Sequence, residues 1–188
     1  MNAEKILMQI NSNPVIAAVR SCEELERAVA SPVKIIFLLN SEISKIGEYI
    51  ELCHLNKKII LVHFDLVSGL GNDEEAVRFL CSFNPDGIIS TKNNILKIAS
   101  EQGVFTVQRF FIVDSRSCDT MRRALNVYRP NMVEIMPGVI FKEIERIISD
   151  GVENVICGGM IDDKQTVIKL LSVGAVGVST SHSDLWTI

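Results

Sequence analysis

Short apolar runs rich in Val and Ile recur along the whole chain. Eight of them have the length and composition of strands: PVIAAVR from Pro14, KIIFLLN from Lys34, KKIILVHFD from Lys57, DGIIST from Asp86, FTVQRFF from Phe105, MVEIMPG from Met132, NVICGGM from Asn154 and AVGVSTS from Ala175. Runs that are almost continuously apolar are typical of parallel strands buried on both faces.

The segments between these runs have helical spacing and helix-start signals. Ser21, followed by Glu24 three residues later, matches the capping-box pattern, and similar starts occur at Ser41, Asn72, Ser115 and Asp162. Strands that alternate with helices predict a parallel α/β sheet, and eight such units favour a compact TIM-type (β/α)8 barrel, formed as one domain by residues 1–188. An open doubly wound sheet is the alternative. Few residues follow Ser181, so we expect the last helix to be stunted.

Polar side chains collect at the carboxyl ends of the predicted strands, where barrels of this class build their sites. They are Arg20, Asn40, His63, Asp65, Ser90, Thr91, Arg109, Glu134, Ser179 and Ser181. The pattern predicts a pocket at this end, with Glu134 alternatively the buried counter-ion of Arg109 or Arg20.

Strand alternation makes two further predictions about side-chain direction. Residues two apart share a face, so His63 and Asp65 are expected to point together, whereas the spacing leaves open whether Gln108 or Arg109 faces the barrel axis. The lysines that begin strands are expected to be solvated at the opposite end of the barrel: Lys34, Lys57 and Lys58.

The loops after the last two strands predict a phosphate site. They read Cys157-Gly158-Gly159-Met160 and Ser179-Thr180-Ser181-His182. Glycines allow close backbone approach, hydroxyls add donors, and backbone N–H groups in such loops commonly bind phosphate in barrels. The alternative is that the glycines serve only a tight turn.

Charge restricts the kind of partner. The 188 residues carry 19 Lys and Arg against 23 Asp and Glu, a net charge of −4, so any RNA contact must be a local patch. The densest candidate is the stretch with Arg116, Arg122, Arg123 and Arg129, in which helical spacing of seven aligns two pairs. The alternative is a solvated helix face with acidic partners such as Asp119.

Several classes of protein are disfavoured. Five dispersed cysteines without a CxxC pair argue against a disulfide framework or a zinc site, and we expect no metal. Cys157, beside two glycines, is the one candidate for a reactive thiol. The charged N-terminal segment lacks the apolar run of a signal peptide, and no run is long enough to span a bilayer, so a cytoplasmic protein is expected.

Longer motifs extend the picture. The segments NPVIAAVR, FLLNSEI, HFDLVSGLGNDE, DGIISTK, QRFFIVDS, EIMPG, GGMI and VSTSHSDLW resemble those of the glycerol uptake operon antiterminator family, in the same order from Asn13 to Trp186. The resemblance implies a phosphate-binding barrel that binds glycerol 3-phosphate as effector, needs no cofactor, and binds the leader mRNA of glycerol-catabolic operons to prevent transcription termination. After EIMPG the chain runs Val139-Ile140-Phe141-Lys142, where the family commonly has a further proline and a lysine.

The resemblance also implies positions for the site. It places six side chains around the mouth, Arg20, His63, Asp65, Lys92, Arg109 and Glu134, and three residues toward the phosphate, Gly159, Ser179 and Thr180. Whether the chain forms a homo-oligomer stays open.

Two other functions remain as alternatives. A phosphosugar enzyme such as an isomerase, aldolase or phosphodiesterase would use Lys92 for a Schiff base, or His63, Asp65 and Glu134 as acid, base or metal ligands. A third possibility is a phosphate-binding module that regulates through protein contacts alone and has no RNA surface.

Overall fold

In the computed structural model, which describes residues 3–188, eight parallel strands close into a barrel. They are β1 (Val15–Val19), β2 (Ile35–Leu38), β4 (Ile59–His63), β6 (Gly87–Ser90), β7 (Phe105–Phe111), β8 (Met132–Met136), β9 (Val155–Gly158) and β10 (Gly177–Thr180). Two-residue strands β3 (Ser41–Glu42) and β5 (Val67–Ser68) pair separately outside it. Because β1 pairs with both β2 and β10, the barrel has no free edge. The predicted closed barrel is confirmed, and the open sheet is excluded.

Eight α-helices accompany the strands. They are α1 (Ala3–Ser12), α2 (Cys22–Ala30), α3 (Ile46–Leu55), α4 (Glu74–Ser82), α5 (Asn93–Glu101), α6 (Ser115–Val127), α7 (Phe141–Ser149) and α8 (Lys164–Ser172). The last unit ends in a short 3-10 helix, Ser183–Thr187, instead of a full helix, as expected. Within residues 3–188, no helix is long and apolar enough to cross a bilayer, and the longest, α6, has 13 residues.

The helix starts follow capping chemistry. Ser21 accepts from the Glu24 N–H and caps α2 as predicted, although the Glu24 carboxylate accepts from the Arg20 N–H instead of the Ser21 N–H. Three other helices are capped by aspartates one residue away from Asn72, Ser115 and Asp162, because a carboxylate readily accepts from the third N–H of the helix: Asp73, Asp114 and Asp163. The start predicted at Ser41 is wrong, since that residue belongs to β3 and α3 begins at Ile46.

The strands separate two apolar cores. The outer core lies between the strands and the helices, and the inner core fills the barrel with side chains such as Phe37, Leu61 and Val107. Helix α1, which the apolar pattern did not reveal, inserts Ile6 and Ile10 into the inner core, where both side chains are buried. This helix closes the end of the barrel at which the strands begin.

Lys58 corrects the prediction that the strand-initiating lysines are solvated. Lys34 and Lys57 are exposed, but Lys58 is buried and its Nζ donates to the Ser31 and Val33 carbonyls at 2.6 and 2.7 Å. Burial lowers the pKa of the Lys58 amine. These charge-assisted hydrogen bonds join the residue before β4 to the loop that precedes β2.

Helix α6 is attached to the barrel differently from the other helices. It buries only Met121, and polar contacts secure much of the rest. Gln108 Nε2 donates to Asn93 Oδ1, and Asn93 Nδ2 donates to the Ala124 carbonyl at 2.8 Å. On the other side, Arg122 bridges to Asp150 of the α7–β9 loop at 2.7 Å. Grooves therefore remain beside this helix.

Candidate phosphate-binding site

A cavity of about 130 Å³ opens at the carboxyl ends of β1, β7, β8, β9 and β10. Seven residues predicted from sequence line it together: Arg20, Arg109, Glu134, Gly159, Ser179, Thr180 and Ser181. Rigid strand ends position most of these groups, as is typical of barrel sites.

The floor of the cavity is a chain of buried polar groups. Arg109 Nε donates to Glu134 Oε2 at 2.6 Å, and Ser179 Oγ donates to Glu134 Oε1 at 2.6 Å. Arg109 is 5% exposed and Glu134 is fully buried, so the pair is desolvated. Glu134 is thus the counter-ion of Arg109 and not of Arg20. The inward set on β7 is the one that contains Val107 and Arg109, which the spacing alone left open.

Gly158 lies beneath this floor and leaves room for it. A Cβ atom at position 158 would collide with Ser179 Oγ and come within 2.7 Å of Glu134 Oε1. Gly158 does not line the cavity itself. Its role in this structure is to let the Glu134 carboxylate and the Ser179 hydroxyl meet between β8 and β10.

The upper wall has the features of an anion site. Gly159 has φ +78°, and its carbonyl accepts from the Gly138 N–H at 3.0 Å, which fixes the turn. The backbone N–H groups of Met160 and Ser181 have no hydrogen-bond acceptor within residues 3–188. Two backbone N–H groups without acceptors, in a wall that also contains Arg20, suit a phosphate.

Thr180 supports the wall instead of presenting a free hydroxyl. Its Oγ1 donates to the Ile161 carbonyl at 2.7 Å and accepts from the His182 N–H at 3.1 Å. The Thr180 carbonyl accepts from Trp186 Nε1 at 2.9 Å. The stunted terminal helix therefore braces the loop that carries Ser181.

His63 is buried next to the floor. Desolvation, and after it the Arg109 charge, lowers the pKa of its imidazole to about 4, so the ring is neutral at neutral pH. Its Nδ1 atom is buried without a partner in the described part of the chain. His63 does not line the cavity, but it lies close enough to Arg109 and Glu134 for their charges to affect it.

Asp65 and Lys92 are placed elsewhere. Asp65 belongs to a 3-10 turn, Phe64–Leu66, so strand alternation does not pair it with His63 as predicted. Its carboxylate accepts from Ser90 Oγ at 2.8 Å and from the Thr91 N–H at 2.8 Å. Lys92 is exposed and its Nζ donates to Asn72 Oδ1 at 2.6 Å. Neither side chain lines the cavity, which weakens the Schiff-base and acid–base alternatives.

Seven lining residues were not predicted as members of the site: Ala18, Leu39, Met136, Met160, Ile161, Asp162 and His182. Met160 also has a left-handed backbone, with φ +59°, directly after Gly159. The sequence signal for the turn at Gly159 and Met160 was the glycine pair Gly158-Gly159. Burial raises the pKa of the Cys157 thiol to about 12, so this candidate for a reactive thiol is protonated at neutral pH. Residues 3–188 contain no cluster of three His, Cys, Asp or Glu side chains suited to a metal.

The sequence model of a family described as glycerol-3-phosphate responsive antiterminator matches residues 15–186. The chain belongs to this antiterminator family. The match covers every barrel strand and the whole cavity described above.

Individual relatives agree with this assignment. The structure is similar to that of the glycerol uptake operon antiterminator regulatory protein from Listeria monocytogenes str. 4b F2365, with a TM-score of 0.88 and 29% identity. The match covers 92% of this chain and 94% of that one. A glycerol uptake operon antiterminator-related protein from Thermotoga maritima MSB8 has a TM-score of 0.83 and 26% identity over 93% of this chain and 98% of that one. The uncharacterized protein YgcP of Escherichia coli (strain K12) is 32% identical over 184 residues, or 97% of this chain and 96% of that protein.

Of the two arginine pairs predicted for RNA, Arg116 and Arg123 lie seven residues apart on α6, but Arg122 and Arg129 do not share that helix. Arg116 and Arg123 are exposed on α6, whereas Arg122 is bound by Asp119 and Asp150 at 3.2 and 2.7 Å. Arg129 lies beyond α6, which ends at Val127, so helical spacing does not align it with Arg122. The local acidic partner that was the alternative, Asp119, is present.

Proposed function

We propose that this chain is an RNA-binding transcription antiterminator that responds to glycerol 3-phosphate and regulates glycerol uptake and catabolism genes in the cytoplasm. The observation that carries the proposal is the small polar cavity at the barrel mouth, in a chain of the antiterminator family. It combines unclaimed backbone donors with a buried charged floor, which suits a compact phosphorylated molecule.

In this proposal the phosphate lies against the upper wall. The N–H groups of Met160 and Ser181 and the Arg20 guanidinium donate to its oxygens, and the left-handed turn at Gly159 keeps the backbone close. Oriented N–H dipoles bind anions without requiring many cationic side chains.

The glycerol half then faces the floor. Arg109 uses only its Nε for Glu134 among the described contacts, which leaves its Nη groups to donate to hydroxyl oxygens. Glu134, held between Arg109 and Ser179, fixes the direction of that guanidinium. A ligand that lacks either the phosphate or the hydroxyls would lose one of the two halves of the site.

Thermal unfolding tests the ligand. At about 100 times the dissociation constant, a ligand that binds only the folded state stabilises it by about 2.7 kcal/mol, which raises the midpoint by roughly 5–10 °C for a chain of this size. We expect this shift with glycerol 3-phosphate, and little or none with glycerol or inorganic phosphate at the same concentration.

Two glycine variants make the test specific. Gly159→Ala and Gly151→Ala both place a side chain on a left-handed backbone, with φ +78° and +92°, so they share that backbone strain. The Gly159 Cβ also meets Met136 Cε at 2.8 Å, the far end of a flexible side chain, whereas the Gly151 Cβ meets nothing within 4 Å. Only Gly159 lines the cavity. Gly159→Ala should abolish the ligand-induced shift and Gly151→Ala should keep it. An unchanged shift in Gly159→Ala would place the ligand elsewhere.

The RNA half rests on the exposed arginines of α6. Lys and Arg contacts to phosphates release counterions, so binding weakens steeply with salt. Replacing Arg116 and Arg123 with Ala should weaken binding of a glycerol-operon leader transcript and reduce the log–log salt slope by about 2. The matched control replaces Arg27 and Arg78, which are exposed on α2 and α4, and should leave both quantities near their original values.

Absence of leader binding by the intact protein, with glycerol 3-phosphate saturating, would contradict the antiterminator function. If glycerol 3-phosphate still raised the unfolding midpoint in that case, the supported function would be a phosphate-binding module that regulates through protein contacts alone.

A further inference from the structure

A second cavity, of about 360 Å³, lies between α6 and α7. Residues of the loops that precede β8 and β9, including Pro130 and Asn154, line it, so it opens near the strand starts and far from the phosphate-binding cavity. We infer that this groove binds one guanine base of a single-stranded RNA. The inference rests on the proposed RNA-binding function and assigns part of that function to a particular site.

The walls of the groove are apolar. Met121 and Leu125 of α6, Ile147 of α7, and Val133 and Val152 form the apolar part of the lining. The groove exists because α6 buries a single residue against the barrel and does not close on α7. A volume of this size is typical of small-molecule sites, and apolar walls, with a methionine among them, suit the faces of a flat ring.

The edges of the groove are polar and carry both signs of charge. Arg122 and Asp150 bridge one edge at 2.7 Å with 40% and 44% of their side chains exposed. Asn126, Arg129 and Glu153 also line the groove, and their side chains have no hydrogen-bond or ion-pair partner within residues 3–188. Donors and acceptors are therefore available together.

This combination discriminates among ligands. Carboxylates at the edge repel a phosphate, but Asp150 and Glu153 can accept from the N1–H and N2–H₂ groups of guanine. Arginine is the usual donor to guanine O6 and N7. Guanine has two adjacent donors on one edge, N1–H and N2–H₂, which the two oxygens of a single carboxylate can accept together. Adenine and cytosine place an amino group beside a ring-nitrogen acceptor, and uracil has a single N–H between two carbonyls, so none of these three bases offers that pair. Sequence-specific RNA recognition commonly uses unstacked bases in such pockets.

The groove is continuous with the proposed RNA surface. Asn126 lines the groove, and the exposed Arg123 lies three residues before it on α6, so the two side chains are neighbours on the helix surface. A strand whose phosphates follow Arg116 and Arg123 would bring a base to the groove at the far end of α6. Phosphate contacts would position the strand, and the groove would read one base.

The experiment uses ten-nucleotide RNA probes with glycerol 3-phosphate present: oligo-U, and oligo-U with a single central G, A or C. Fluorescence anisotropy of the intact protein should show the G probe binding roughly tenfold tighter than the other three. Glu153→Gln removes one acceptor and one negative charge. It should reduce the G preference to less than about threefold while strengthening binding of plain oligo-U.

The matched control is Glu145→Gln, the same charge change on an exposed residue of α7 outside the groove. It should strengthen oligo-U binding slightly and keep the G preference. If Glu153→Gln behaves like Glu145→Gln, the groove does not read guanine.

The other outcomes separate the two proposals. RNA binding without any base preference would overturn the guanine site and leave the antiterminator function standing, with the groove then available to a protein partner. GMP binding in preference to AMP without any RNA binding would support the guanine chemistry but assign it to a free nucleotide, against the proposed function. Binding of neither RNA nor GMP would overturn both.

Discussion

Arg109 and Glu134 form an ion pair across β7 and β8, with 2.6 Å between Arg109 Nε and Glu134 Oε2, inside the barrel. Both residues occupy paired positions in the strand register, so the backbone itself brings them together. A buried pair of this kind contributes little net stability relative to apolar residues, but losing one partner leaves an uncompensated charge.

Removing the arginine should therefore be costly. Arg109→Met leaves the Glu134 carboxylate buried with only the Ser179 hydroxyl as partner, and we expect it to lower the free energy of unfolding by roughly 3–5 kcal/mol. Adding Glu134→Gln to the same chain should recover part of that loss. Urea denaturation of the wild type, Arg109→Met, Glu134→Gln and the double variant measures both effects, and additive losses would show that the two side chains act independently.

Gly158 should be sensitive for a reason that depends on Ser179. A Cβ atom there collides with Ser179 Oγ, so Gly158→Ala should cost roughly 1–3 kcal/mol through overpacking. In a Ser179→Ala background the nearer obstacle is removed and only Glu134 Oε1, at 2.7 Å, remains, so the added cost of Gly158→Ala should fall below half of its original value. A full cost in that background, measured by thermal unfolding, would show that the glycine is needed for another reason.

His63 should make stability depend on pH. Burial first, and the Arg109 charge second, lower its pKa from 6.5 to about 4, so the folded state binds this proton more weakly than the unfolded chain does. The stabilising difference is fully present above about pH 6.5 and is lost as pH falls through 4. From pH 7 to 4.5 the loss should be roughly 2 kcal/mol.

Replacing the ring isolates this contribution. His63→Gln should flatten the pH dependence of the free energy of unfolding between those two values by that amount. His182→Gln, which replaces an exposed histidine, is the matched control. Equal slopes in wild type and His63→Gln would mean that the imidazole is not the group that titrates.

Lys58 provides a test at the other end of the barrel. Lys58→Met removes two charge-assisted hydrogen bonds and leaves the Ser31 and Val33 carbonyls without this donor, so we expect a loss of roughly 2–3 kcal/mol. Lys34→Met, at an exposed position, should change stability by less than about 0.5 kcal/mol. Chemical denaturation of the two variants compares them directly. Similar small losses would show that the hydrogen bonds from Lys58 to the Ser31 and Val33 carbonyls do not stabilise the fold.

The barrel was predictable because its signals are local. Eight buried parallel strands must be continuously apolar, and each run found in the sequence contains one observed strand. Helix α1 escaped notice because it lies before the first strand, outside the β/α repeat. Lys58 was misplaced because a strand-initiating lysine has the same sequence pattern whether its amine reaches solvent or two carbonyls.

The site was predictable only in outline. Strand ends indicated Arg20, Arg109 and Glu134, but the partner of Glu134 depends on the strand register, which no single segment encodes. The sequence placed Asp65 at the mouth because it follows a strand. In the structure it lies in a 3-10 turn and accepts from Ser90 of the neighbouring strand β6, a contact that the local sequence does not reveal. The groove between α6 and α7 depends on the distance between the two helices, which the apolar periodicity of either helix does not encode.

The plug formed by α1 has a consequence for kinetics. Ile6 and Ile10 fill one end of the barrel, and the apolar inner core separates them from the cavity, so within residues 3–188 the cavity opens to solvent at the mouth. A small molecule bound there must leave by the way it entered. A macromolecule that covered the mouth would therefore trap it, and the residence time of the effector would become that of the complex.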